Sequence, residues 1–121
     1  MGNDKSTLDC GQSLYETIDF DFYKTIFDPV RSDILVYLVC HGKKNIKDIS
    51  EKFPQDRSVI SRHLDLMYRY GILSKVKQAR EVTYEVNSSF ILKQFEKTTT
   101  NLKKMLQMSE PKSLNILSKT E

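Results

Sequence analysis

The chain has 121 residues, 39% of them hydrophobic, and a formal charge of +3 from 19 Lys and Arg against 16 Asp and Glu. That is room for one domain with a modest core, and a basic excess that permits nucleic-acid binding without requiring it. No apolar run approaches the roughly 20 residues that cross a bilayer, and the N-terminus lacks the basic-then-apolar order of a signal peptide, so a soluble cytoplasmic protein with no membrane partner is expected.

Residues 1–12 are polar and aperiodic and read as a flexible N-terminal arm; residues 108–121 read as a flexible C-terminal tail, leaving residues 13–107 as the folded domain. Leu14, Ile18, Phe22 and Ile26 recur at helical spacing and predict a first helix. Tyr15, Phe20, Tyr23 and Phe27 beside them exceed what one helix face can hide, which points to burial against a second copy. Asp28-Pro29 is a helix start, because Asp accepts free backbone N–H groups and Pro loses no hydrogen bond at the first helical position. The second helix should run to Cys40 or His41 and stop at Gly42. Its apolar stretch from Ile34 to Cys40 places it at the core.

Ile46, Ile49 and Phe53 predict a short third helix beginning at Asn45 and ended by Pro54. A tight connection at Pro54-Gln55 leads to Asp56, which can cap a fourth helix, and two helices so joined make a helix-turn-helix. In that fourth helix Val59, Ile60, His63, Leu64, Leu66, Met67 and Tyr70 fall on one side. Arg57, Ser58, Ser61, Arg62, Asp65 and Arg69 fall on the other. A face rich in arginines and hydroxyls suits phosphates and base edges better than the mixed Glu and Lys of an ordinary solvated surface, so this has the character of a recognition helix.

Gly71 ends the fourth helix. Ile72 to Lys77 and Glu81 to Val86 then alternate with period two, giving a hairpin with its tip at Gln78, Ala79 and Arg80 and with Val82, Tyr84 and Val86 on one face. Asn87 and Ser88 can cap a last helix in which Ile91, Phe95, Thr98, Leu102 and Met105 form an inter-helix seam.

The order of elements and four local motifs resemble the ArsR/SmtB family of bacterial repressors. Asp28-Pro29-Val30-Arg31 before Ile34-Leu35 is similar to that family's lead into its second helix, and Ser58-Val59-Ile60-Ser61-Arg62-His63-Leu64 to its recognition helix. Leu66 to Gly71-Ile72-Leu73 matches its exit into the wing, and Arg80 with Tyr84 its hairpin. The resemblance implies a mainly α fold with a two-stranded β wing, a winged helix-turn-helix that dimerises through its first and last helices. Ala79 stands where that family has Gly, and a β-carbon avoids the positive φ such a turn uses.

The expected function is that of a homodimeric, sequence-specific repressor bound to an inverted-repeat DNA operator and released by an unidentified signal. Arg57 or Arg62 would bond guanine in fork geometry, Ser58 and Ser61 phosphate or a base edge, and Gln55 would join them from the turn. Arg80, Lys75 and Lys77 are candidate wing contacts, and Arg69 a phosphate contact at most. Lys75 and Lys77 read equally well as protection of a strand edge.

His63 lies on the oily arc and reads as a structural histidine, and no nucleophile-and-base motif surrounds it, so no enzyme and no cofactor are expected. The resemblance would place the thiolates of that family's metal sensors at Asn45 and Lys47, which cannot supply them, so no metal is expected. Cys40 reads as a buried space-filler. Two other classes compete with the DNA-binding reading: a thiol or thiophilic-metal sensor that uses Cys10 and Cys40 beside His41, and a winged helix that serves only protein interaction.

Overall fold

The structure is a computed structural model, described for residues 11–109. Residues 11–17 form α1, followed by α2 (Phe20–Ile26), α3 (Pro29–His41), β1 (Lys44–Asn45), α4 (Ile46–Glu51), α5 (Arg57–Arg69), β2 (Leu73–Gln78), β3 (Glu81–Val86) and α6 (Ser88–Ser109). The described residues divide into two compact units, one built from Asp21–Ile91 and the other from the described residues before and after it.

The single first helix expected from the aromatic pattern is two helices. The Ile18 N–H closes α1 on the Leu14 carbonyl at 2.9 Å, and the Phe20 N–H turns back to the Ile18 carbonyl at 3.0 Å, so the helix is interrupted at Ile18 and Asp19. In the unit outside Asp21–Ile91, Tyr15 and Phe20 meet with ring centroids 5.4 Å apart, yet Tyr15 remains 74% exposed. Leu92, Phe95 and Leu102 of α6 are also exposed there, while Thr98 and Met105 are half-buried.

Within Asp21–Ile91 the core is Phe22, Ile26, Ile34, Leu38, Ile49, Ile60, Leu64, Met67, Ile72, Leu73 and Tyr84, each at most 8% exposed. Every element of the unit except β1 contributes to it, α6 through the half-buried Phe90 and Ile91. Asp28 starts α3 as expected: its Oδ2 accepts from the N–H groups of Val30 and Arg31 at 3.1 and 3.2 Å, with Pro29 at the first helical position. The α2–α3 corner is pinned further by Ser32 Oγ, which donates to the Ile26 carbonyl at 2.8 Å, and by the buried Thr25 hydroxyl, which donates to the Asp21 carbonyl at 2.7 Å.

α3 lies at the core as expected, but through a single stripe of its surface. Only Ile34 and Leu38 are buried, whereas Val36 and Val39 are 61% and 63% exposed. One helix packed on one side buries only one stripe, however apolar its sequence.

The wing is also larger than the expected two strands. It is a three-stranded antiparallel sheet in the order β1-β3-β2, with Lys44 opposite Tyr84 and Asn45 opposite Thr83. Asn45 also caps α4, its Oδ1 accepting from the Asp48 N–H at 2.8 Å, and its Nδ2 donates to Glu81 Oε1 at 2.8 Å. One side chain therefore joins the helix-turn-helix to the wing. α4 ends at Glu51, before Phe53 and Pro54.

The β2–β3 hairpin pairs Gln78 with Glu81, leaving Ala79 and Arg80 as a two-residue turn. Ala79 adopts φ 56, and no other non-glycine residue among those described has positive φ. Positive φ at the first turn residue alone is the pattern of a type II′ rather than a type I′ turn, with Ala where Gly is normal. Gly71 ends α5 at φ 80, with the Ile72 N–H reaching back to the Met67 carbonyl at 2.9 Å. A β-carbon there would lie 2.7 Å from the Phe90 ring, so both backbone conformation and close approach call for glycine.

Candidate nucleic-acid interface

α5 presents two faces, as its sequence predicts. Ile60, Leu64 and Met67 are buried, and Val59, His63, Leu66 and Tyr70 half-buried. Arg57, Ser58, Arg62, Asp65 and Arg69 are exposed, and Ser61 is half-buried between them. Asp56 occupies the N-cap position, but its side chain makes no capping bond; its carbonyl instead accepts from the Val59 and Ile60 N–H groups at 2.9 and 3.0 Å. The first turn of the helix therefore keeps backbone N–H groups with no side-chain partner, at the end where phosphate oxygens bind well.

Arg57, Ser58, Arg62 and Arg69 make no side-chain hydrogen bond or ion pair among the described residues. Three guanidinium groups are thus held on one helix face with their donors free. Arg69 is the last residue of α5, which sets it apart from Arg57 at the first. Gln55 sits half-buried in the turn before α5, and its Oε1 is buried with no hydrogen-bond partner.

The three wing residues have different surroundings. Strand register puts Lys75 opposite Tyr84 and Lys77 opposite Val82, so both lysines share the sheet face of Val82, Tyr84 and Val86. Lys75 leans on α5, its Nζ 3.5 Å from Asp65 Oδ1 and 4.4 Å from the centre of the Tyr68 ring. It is engaged in a pair, whereas Lys77 and Arg80 are exposed and unpaired among the described residues. Tyr68, 46% exposed on the polar side of α5, belongs to this face although it is neither basic nor a short hydroxyl residue. Its position beside Arg57 and Ser61 in helical projection could have flagged it.

Behind its core-packed residues, α5 is also tied to the α2–α3 corner by one side chain. Arg31 Nε donates to the Thr25 carbonyl at 2.7 Å, Nη1 lies 3.2 Å from His63 Nδ1, and Nη2 lies 3.8 Å from Asp28 Oδ1. Burial first, and the Arg31 guanidinium second, hold the His63 pKa below its ordinary value of 6.5, with Asp28 opposing and Arg62 adding to the effect. His63 is the structural histidine that its place on the oily arc implied.

Cys40 is exposed, contrary to the buried space-filler expected, because it lies on the same uncovered side of α3 as Val36 and Val39. Cys10 lies outside the described residues. Among those described, no three His, Cys, Asp or Glu side chains come together as a metal site requires. The Asn45 position is committed to capping α4 and bridging to Glu81. No helix among the described residues is long and apolar enough to cross a membrane.

A short helix, a turn and a longer helix with free guanidinium groups, followed by a hairpin with a basic tip, define a winged helix-turn-helix DNA-binding regulator. The comparisons identify its kind. The sequence profile of the bacterial regulatory proteins of the arsR family matches residues 28–75. The transcriptional repressor PagR of Bacillus anthracis is 30% identical over 57% of this chain and 78% of its own, with a TM-score of 0.53. An ArsR-like regulator from Rhodococcus sp. RHA1 (21% identity, 84% of this chain and 91% of its own, TM-score 0.60) shares the fold. So does NolR from Sinorhizobium fredii (18% identity, 77% and 84%, TM-score 0.53). No curated protein matches the chain significantly in sequence. The chain belongs to the ArsR family of transcriptional regulators.

Proposed function

We propose that this protein is a cytoplasmic homodimeric repressor whose two α5 helices read an inverted-repeat operator. Residues 13–107 serve as the DNA-binding and dimerisation domain. The observation that carries the reading is the α5 face on which Arg57, Arg62 and Arg69 keep all their donors free. The exposed Arg57 and Arg62 suit guanine O6 and N7, Ser58 and Ser61 suit a phosphate or a base edge, and Gln55 adds a contact from the turn. Lys77 and Arg80 at the wing take phosphates, while Lys75 contributes only after leaving Asp65.

Dimerisation is supported by the exposed Tyr15, Phe20, Leu92, Phe95 and Leu102, a set too apolar for a solvated surface. Two-fold symmetry then sets the recognition helices about 34 Å apart, one turn of duplex. Repression follows from occlusion of a promoter, and release from any signal that changes the spacing or angle of the two helices. Footprinting on the DNA upstream of its own gene tests this directly. Two protected half-sites one helical turn apart are expected, and a single protected half-site, or none, would refute the dimeric reading.

A further inference from the structure

An open cleft of about 590 Å³ lies between α3, β1 and the segment that follows α4, a size within the range of small-molecule sites. Aromatic rings form part of its lining. Tyr37 meets Phe53 edge-on with centroids 6.0 Å apart at 90°, and His41 tilts over Tyr37 at 4.9 Å. Val36, 61% exposed, completes the apolar lining.

Three charges border these rings: Asp33, Lys44 and Lys52. None of the three has an ion-pair partner among the described residues. Asp33 and His41 lie two turns apart on α3, about 12 Å along its axis. The carboxylate therefore sits at one end, and Lys44 beyond His41 at the other. Two ammonium groups against one carboxylate leave the cleft net positive.

We propose that this cleft is an effector site for a small planar aromatic carboxylate. A flat ring would occupy the edge-to-face corner of Tyr37 and Phe53, its carboxylate would take charge-assisted hydrogen bonds from Lys44 and Lys52, and a hydroxyl substituent would donate to Asp33. An organic cation would meet two lysines of its own sign.

The cleft also touches the parts that aim the DNA-binding surface. Lys52 and Phe53 belong to the segment that leads into α5, and Lys44 lies on β1, which pairs with β3 of the wing. A ligand seated there bears on the recognition helix and the wing together, so its binding is coupled to DNA affinity. That regulatory role rests on the DNA-binding reading above, whereas occupancy of the cleft does not.

The test is a titration of the full chain with benzoate, 4-hydroxybenzoate and phenylacetate, followed by amide NMR and paired with operator-binding measurements. We expect saturable shifts at Tyr37, His41, Lys52 and Phe53 for at least one of the three, with a Kd below about 1 mM. Affinity should fall at least about 10-fold for the corresponding neutral amide and in Lys44→Gln/Lys52→Gln, and persist in Lys44→Arg/Lys52→Arg. No saturable shift up to about 10 mM, or equal affinity for acid and amide, overturns the site. Ligand binding that leaves operator affinity unchanged overturns the coupling. Saturation of the cleft in a chain without salt-dependent DNA affinity upholds the site and sinks the DNA reading instead.

Discussion

Arg31 on α3 reaches α5 with its Nη1 3.2 Å from Nδ1 of His63, tying the recognition helix to the corner between α2 and α3. A guanidinium group only donates, so Nδ1 must accept and the imidazole must be neutral, its proton on Nε2. Burial and Arg31 lower the His63 pKa, and that has a definite sign for stability. Above the unfolded value of 6.5 the ring is neutral in both states and costs nothing; as pH falls through 6.5 towards the lower folded pKa, the unfolded chain binds the proton first and stability is lost. Urea unfolding between pH 7.5 and 5 should show this loss, and His63→Gln should remove part of the slope. An identical pH dependence in the variant would contradict the neutral-acceptor assignment.

Arg31→Ala should cost about 2 kcal/mol in the same assay at neutral pH, because it removes the bonds to both Thr25 and His63 and leaves a carbonyl and an imidazole unpartnered. A change within about 0.5 kcal/mol would mean that the Arg31 bridge contributes little in solution.

The two ends of the β2–β3 unit give opposite glycine predictions. Ala79→Gly should stabilise by up to about 1 kcal/mol, because the turn already holds a β-carbon at φ 56. Gly71→Ala should destabilise by at least about 1–2 kcal/mol, since it adds a β-carbon at φ 80 against the Phe90 ring. Thermal unfolding reads both. The outcome that would count against the turn geometry is a destabilised Ala79→Gly.

Much of this architecture was readable from residue order because its signals are local. Asp28-Pro29, Gly42 and Gly71 mark helix ends through backbone chemistry, and the two-faced pattern of residues 57–70 needs only the helical repeat. The misses are tertiary. Leu14, Ile18, Phe22 and Ile26 keep helical spacing straight through the break at Ile18 and Asp19. A strand of two residues, Lys44–Asn45, is too short to show period two and exists only through its pairing with Thr83 and Tyr84. The exposure of Val36, Val39 and Cys40 depends on which neighbours α3 meets. So does the engagement of Lys75 by Asp65 and Tyr68, which changes its standing as a DNA contact.

Lys75 and Lys77 should therefore differ. Lys77→Ala should weaken binding to all sequences alike and reduce the salt slope by about 1. Lys75→Ala should do less than Lys77→Ala. Asp65→Asn should strengthen binding, because it releases Lys75 and removes a negative charge from the face offered to DNA. Weaker binding by Asp65→Asn in a gel-shift titration would place DNA elsewhere.

The central claim, that the exposed face of α5 reads DNA, is tested most directly by operator affinity in Arg57→Ala, Arg62→Ala and the double variant, measured by fluorescence anisotropy at fixed salt against specific and scrambled duplexes. Each single change should cost about 1–3 kcal/mol on the specific duplex and flatten the preference over the scrambled one, and the double variant should bind both duplexes nearly equally. Wild-type affinity and wild-type discrimination in the double variant would contradict the account.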